Sequence, residues 1–291
     1  MASPRLGVDY AVGVTEASKS ALAEVVTALG RYRETLVLIG GWAPYFILEQ
    51  FGRPQMEFDH VGSIDIDIVV DPSVIDVDQY ATIVELLNAR GYEPAEDSLF
   101  QFEKDIISPL DGKGYRVRVD FLTPQPLRGQ GQAHRHRRVQ RDLKARILPG
   151  AEVALEHSFM YQLQAQLPGD GIVEVELRVT DVVGALSLKG IAIGERYAEK
   201  DAYDIYALCA YYQDGPPSVA EAFRPFLHQD PIQRGLRAVA ARFRAVEAEG
   251  PAWVAAFLSE GDRDRVERIT RDAYMVVGET LHLLGIGKRG T

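Results

Sequence analysis

Two aspartates, Asp65 and Asp67, stand two residues apart in Ser63-Ile64-Asp65-Ile66-Asp67-Ile68-Val69-Val70-Asp71, where apolar and acidic residues alternate. Period-two alternation is the pattern of a β-strand, and side chains at i and i+2 leave a strand on the same side. Asp65 and Asp67 are therefore expected to project together, with Ile64, Ile66, Ile68 and Val70 packing from the other face. Aspartate is disfavoured inside strands, and carboxylates about 5 Å apart at an effective dielectric near 20 repel by roughly 3 kcal/mol. A divalent metal with oxygen ligands would offset that repulsion. An edge strand with a solvated acidic face carries the same pattern without a metal, so this stretch alone leaves both readings open.

A third carboxylate lies further on. From Tyr115 to Leu122, Val117, Val119 and Phe121 alternate with Arg116, Arg118 and Asp120. Asp120 thus faces away from the valines, either in a surface salt bridge with a neighbouring arginine or brought beside Asp65 and Asp67 by strand pairing. Upstream, Thr35 to Ile39 reads as a buried strand ending at Gly40-Gly41, and Trp42 to Phe51 as a helix that tolerates Pro44 in its first turn. Strand, glycine pair and helix start present backbone N–H groups that suit a phosphate. A glycine pair also serves simply as a tight turn.

The remaining elements must position these groups. Residues 1–14 read as a partly ordered arm, Thr15 to Leu29 as a helix stopped by Gly30, and Asp78 to Arg90 as a helix stopped by Gly91. Strands are expected around Leu99 to Glu103, Tyr115 to Leu122, Ala151 to Glu156 and Glu174 to Val179, with a turn at Pro168-Gly169-Asp170-Gly171. Thr180 is a fair N-cap for a helix toward Arg196. Further helices follow over Glu199–Tyr212, Ser218–Leu227, Pro231–Glu247, Ala252–Glu260 and Asp262–Leu284, then a frayed tail from Gly285 to Thr291. The spacing predicts a mixed α/β part over 1–180 and a helical part over 181–291. Tyr203, Tyr206, Tyr211 and Tyr212 read as core packing.

The chain has 291 residues, 46% hydrophobic and 25% charged, which matches a soluble globular protein. The lone Cys209 excludes a disulfide framework and a cysteine-based zinc site. The N-terminus has no uninterrupted apolar core, and no run reaches the ~18 apolar residues of a membrane span. A cytoplasmic protein with no membrane partner is expected. The net charge of −10 argues against a general nucleic-acid coat. Locally, however, Arg128, Arg135, Arg137, Arg138, Arg141, Lys144 and Arg146 gather against Asp142, with His134 and His136 alongside. That track suits a polyphosphate tail or a nucleic-acid backbone, or is a solvated loop.

Taken in order, these parts resemble the DNA polymerase β-like nucleotidyltransferase superfamily, through Gly40-Gly41, Asp65-Ile66-Asp67 and Asp120 within Arg118-Val119-Asp120-Phe121. The run from Lys189 to Arg196, followed by Lys200-Asp201-Ala202-Tyr203-Asp204, is similar to the abortive-infection AbiEii branch and its related MenT toxins. The resemblance spans roughly residues 35–210. One departure is that Trp42 and Ala43, rather than a serine, follow the glycine pair.

The resemblance implies an α+β fold, a nucleotidyltransferase-type mixed sheet with flanking helices, and a C-terminal helical domain contributing to the active-site cleft. It implies attack of an acceptor hydroxyl on the α-phosphate of a nucleoside triphosphate, with release of pyrophosphate. Asp65, Asp67 and Asp120 would hold two Mg²⁺ ions about 3.5–4 Å apart, and Lys189 and Asp201 would join them in catalysis. Gly40, Gly41, Ser63, Lys189 and Arg196 would contact the nucleotide. Without the resemblance, Lys189 is an ordinary exposed lysine, and Asp201 and Asp204 serve the helix dipole. Arg196 would contact the nucleotide or pair with one of these aspartates. The acceptor implied is tRNA or protein, as for a toxin with a cognate antitoxin. The alternatives are an antibiotic-like small molecule, or a non-catalytic regulator that keeps the fold.

Overall fold

The computed structural model describes residues 7, 10–53, 58–73, 81–96, 98, 100–126, 135–169, 171–197, 199–259 and 263–286. The chain divides into two compact units: Val12–Ala43 with Gly62–Thr180, and Met1–Ala11 with Pro44–Val61 and Asp181–Thr291. One cut falls between Thr180 and Asp181, but residues 44–61, expected in the mixed part, cluster with the helical one.

The elements run α1 (Val12–Ala28), β1 (Leu36–Ile39), α2 (Trp42–Phe51), β2 (Ile66–Val70), α3 (Ile83–Asn88), β3 (Glu93–Pro94), β4 (Gln101–Ile107) and β5 (Gly114–Thr123). They continue with β6 (His136–Arg138), β7 (Lys144–Ile147), α4 (Glu152–Glu156), β8 (Ser158–Gln166) and β9 (Ile172–Thr180). Last come α5 (Val182–Glu195), α6 (Glu199–Tyr211), α7 (Pro216–Phe223), α8 (Asp230–Arg242), α9 (Glu249–Leu258) and α10 (Arg263–Leu283).

In the sheet unit the strand order is β3-β4-β5-β2-β1-β9-β8, and the β6–β7 hairpin joins through β7. Parallel pairs (β2 with β5, β1 with β9, β5 with β7) are mixed with antiparallel ones, giving an open mixed sheet with flanking helices. Leu22 and Val25 of α1 line a small cavity together with Leu38 and Ile68 on one face of that sheet. Val117, Val119 and Phe121 are buried, while Arg116 and Arg118 between them are exposed. The alternation seen in the sequence thus becomes an apolar face and a polar one.

Several expectations are corrected. Ala151 to Glu156 is a short helix, α4, rather than a strand: its Ala, Leu and Glu are helix formers and no sustained alternation opposes them. The strand is the next stretch, β8, which pairs with β9 across residues 167–171. Thr180 ends β9 with its hydroxyl donating to the His157 carbonyl, and Asp181 is the N-cap, accepting from the N–H groups of Val183 and Gly184. α1 begins at Val12, so residues 12–14 are helical, and Gly30 opens a 3₁₀ turn rather than ending α1. α3 is short because Thr82 and Glu85 form a capping box at its start. The basic track is not a loop from residue 136 onward but the β6–β7 hairpin. Arg128, His134, Leu99, Asp262, residues 78–80 and residues 287–291 lie outside the described residues.

The helical unit holds α5 to α10. α5 and α8 approach closely at Gly190 and Gly235, where an added Cβ would lie 2.4 Å from a backbone oxygen of the facing helix. Tyr203 is fully buried and stacks on Phe257 at 4.5 Å, and Tyr211 stacks on Phe58 at 4.1 Å, so these rings serve packing. No helix among the described residues is long and apolar enough to cross a membrane.

Candidate active site

β2 and β5 run parallel with Asp67 opposite Asp120. Residues directly opposite in paired strands share a face, so both carboxylates leave the sheet on the same side. Asp65 lies in a bend just before β2 and is exposed, whereas Asp67 and Asp120 are half-buried. β2 is interior, between β1 and β5, so a solvated edge strand does not account for Asp67. Nor does a surface salt bridge account for Asp120, because the neighbouring arginines are taken elsewhere. Arg116 donates to both Asp105 oxygens at 2.7 and 2.8 Å, and Arg118 lies 3.8 Å from Glu103.

Asp120 instead accepts from the Gln101 amide at 3.0 Å through Oδ2, while Oδ1 is buried with no hydrogen-bond partner. Crowding by protein atoms, then the Asp67 charge, pushes the Asp65 carboxyl up to about 6 against a smaller pull from Arg118. Asp120 is raised further, by burial and by Asp67, against the Gln101 hydrogen bond and the Arg146 charge. Protonation or a nearby positive charge would relieve this mutual repulsion. Sequence reasoning missed Gln101, whose signal was its place in the polar alternation Gln101, Glu103, Asp105 along β4, and gave Arg146 only as one residue of the basic track. A groove of about 700 Å³ continues along this strand, lined by Glu93, Gln101, Glu103, Asp105, Arg116 and Arg118.

The glycine turn closes against Asp67 and Ser63. Gly40 has φ +71, and a Cβ there would meet Asp67 Oδ2 at 2.0 Å; a Cβ on Gly41 would meet Ser63 Oγ at 2.7 Å. Glycine is required at Gly40 for both conformation and space. Trp42 anchors the turn, its indole N–H donating to Ser18 at 3.0 Å. Ser63 donates its hydroxyl to the Asp65 carbonyl at 3.0 Å. Gly40→Ala is expected to destabilise the protein by about 1–2 kcal/mol through the left-handed backbone. By displacing Asp67 it should also cut any Mg²⁺-dependent transfer about a hundredfold. Thermal unfolding and initial rates check the two parts separately.

Within the helical unit, the expected site residues form a buried ion network. Lys189 Nζ contacts Asp201 at 2.8 Å and Asp204 at 2.6 Å, and Arg196 holds the second Asp201 oxygen at 2.9 and 3.0 Å. Lys189 is thus not an ordinary exposed lysine, and Asp201 and Asp204 do more than face a helix dipole. Of the two roles open to Arg196, the structure displays the aspartate pair. Lys200 and His60 complete the set on Asp204, with His60 Nε2 at 2.9 Å. Sequence reasoning missed His60, whose position in the chain carries no signal. Burial pulls Lys189 down, but Asp201 and Asp204 outweigh it and hold its pKa above the ordinary lysine range. Lys200 is lowered to about 8, by burial first.

Burial, then Lys200, lowers the His60 pKa from 6.5 to about 4 despite Asp204. Neutral His60 therefore donates to Asp204. The native state binds this proton less tightly than the unfolded chain, so stability falls as pH drops from 6.5 to 4. His60→Gln keeps an amide donor and removes the titration. Thermal midpoints taken across that range should fall for the wild type and stay flatter for the variant.

Among the described residues, no three His, Cys, Asp or Glu side chains are gathered closely enough to hold a metal ion by themselves. Magnesium takes one or two carboxylates and completes its shell with water and substrate phosphate oxygens. The orphaned Oδ1 of Asp120 and the raised carboxyls fit that incomplete donor set. Comparison of the chain with family models, with curated proteins and with solved structures gives no match. The fold and the site therefore define a class by chemistry alone: a mixed α/β protein with a clustered-carboxylate centre beside a glycine turn.

Proposed function

We propose that this protein is a nucleotidyltransferase, moving a nucleotide from a nucleoside triphosphate to an acceptor hydroxyl with release of pyrophosphate. The observation that carries the reading is the parallel register of β2 and β5, with Asp67 opposite Asp120 and Asp67 against a glycine turn that has no room for a side chain. Asp67 and Asp120, with Asp65 nearby, would supply part of a magnesium shell that water and substrate phosphate oxygens complete, and the ion when bound supplies charge neutralisation at the phosphates and acidity at the attacking hydroxyl. The acceptor oxygen bonds to the α-phosphorus as the bond to the β-phosphate oxygen breaks, and the hydroxyl proton passes to Asp120. Its Oδ1, buried without a hydrogen-bond partner, suits that task. The N–H groups of Gly41, Trp42 and Ala43 open α2, and they would orient the terminal phosphates in place of a serine hydroxyl.

In this reading the sheet is of the nucleotidyltransferase type, and the AbiEii and MenT branch is the family proposed. A toxin paired with a cognate antitoxin is its biological setting. The test is incubation with each α-labelled nucleoside triphosphate, Mg²⁺ and either total RNA, total protein or an aminoglycoside. Label in one acceptor fraction, matched by pyrophosphate release and lost on chelation, is the expected result. No label in any fraction and no Mg²⁺-dependent nucleotide binding would overturn the reading and favour a non-catalytic role.

A further inference from the structure

β7 continues the sheet where β4 leaves β5, with Arg146 opposite Leu122, so Arg146 shares the polar face with Asp120 two residues earlier. Its guanidinium lies 5.5 Å over the Phe100 ring, which stacks on His136 at 5.1 Å. Its Nε is buried without a hydrogen-bond partner, and Asp120 Oδ1 is in the same condition. Two buried atoms of opposite character, a donor and an acceptor, thus share one face without bonding each other. The two arginines of β5 on that face are already engaged: Arg116 is paired with Asp105, and Arg118 with Glu103. Arg138 and Lys144, opposite each other in the hairpin, carry positive charge onward from Arg146.

Strand order fixes which flank this is. The glycine turn follows β1, on the β2 side of β5, and β7 lies on the other side, so the carboxylates stand between the turn and Arg146. We propose that Arg146, braced on Phe100 and His136, holds a phosphate group of the acceptor, next to the hydroxyl that reacts. This rests on the nucleotidyltransferase reading and names the acceptor's chemistry. Arginine's planar fork suits phosphate oxygens in a way a point charge does not. The phosphate is either a diester in a polynucleotide or a monoester on a small hydroxyl compound.

The test compares full-length wild type with Arg146→Met and Arg146→Lys, using Arg271→Met, an exposed arginine of α10 outside the basic track, as a control. Three probes are titrated: a 5′-fluorescein RNA dodecamer, ribose 5-phosphate, and α,β-methylene-ATP with Mg²⁺. Arg146→Met is expected to weaken the RNA or the ribose 5-phosphate at least tenfold, with Arg146→Lys in between and Arg271→Met unchanged. Loss of the RNA identifies a diester and flattens its log–log salt slope by about 0.7; loss of the sugar phosphate alone identifies a monoester. Two acceptor probes that bind Arg146→Met as they bind wild type would overturn the proposal. So would a loss confined to α,β-methylene-ATP, which would assign Arg146 to the nucleotide. A wild type that binds no α,β-methylene-ATP sinks the transferase reading instead, and that result is separate from the two acceptor titrations.

Discussion

Asp67→Asn is expected to lower nucleotide transfer about a thousandfold, roughly 4 kcal/mol of barrier, while raising the thermal midpoint of the metal-free protein at pH 8. The two effects share one cause. Asp67 stands between Asp65 and Asp120 in charge and raises the pKa of both. The Asp65 carboxyl is raised to about 6 from an ordinary 3.8, so the native state holds that proton more tightly than the unfolded chain does. Its ionisation therefore costs stability as pH rises through that interval, and the cost persists above it. Removing the Asp67 charge relieves part of that cost, by about 1 kcal/mol or 2–4 °C once the exposure of Asp65 is allowed for. The gain should vanish below about pH 4, where both carboxyls are protonated. Mg²⁺ should raise the wild-type midpoint more at pH 8 than at pH 5, since protons compete for its ligands, and should do little for the variant. Transfer at the wild-type rate by Asp67→Asn would remove the carboxylate cluster from the chemistry.

Lys189→Ala carries the largest expected loss of stability, about 3–5 kcal/mol, because it leaves buried carboxylates short of a partner. Asp201 would keep Arg196, and Asp204 would keep Lys200 and His60, but each would lose its contact with the ammonium. Urea unfolding of the single variant, of Asp204→Asn and of the double variant forms a cycle whose coupling should exceed 1 kcal/mol. A loss below about 1 kcal/mol for Lys189→Ala would mean the network is solvated in solution. The size of this effect has a consequence for activity measurements. A drop in transfer for a Lys189 variant reports on nucleotide contact only where the variant is shown to be folded.

Much of the acidic centre was legible early because its strands are regular. Ile66, Ile68, Val117, Val119 and Phe121 are apolar at every second position and become buried, which fixes the aspartates and arginines between them on the other face. The helices from α5 onward were readable for a related reason, since a helix buries a stripe whose period survives in the chain. The misreading at Ala151 to Glu156 came where a segment is too short for either period to assert itself, and local propensity prevailed. The hairpin β6–β7 was hidden because charged side chains dominate it and its strands are held by pairing to β5 rather than by an apolar pattern.

The sequence by itself marked Asp65, Asp67 and Asp120 as acids that strand alternation holds on polar faces, ended a strand at Gly40-Gly41, and set a mixed part before a helical one. Those follow from side-chain type and from local period, which the chain displays directly. Only the tertiary structure decided that Asp120 sits opposite Asp67, that Gln101 and Arg146 flank it, and that Lys189 is bound by Asp201 and Asp204. Register between strands far apart in the chain, and the pairing of buried charges, are set by how whole surfaces fit together. No local pattern records them.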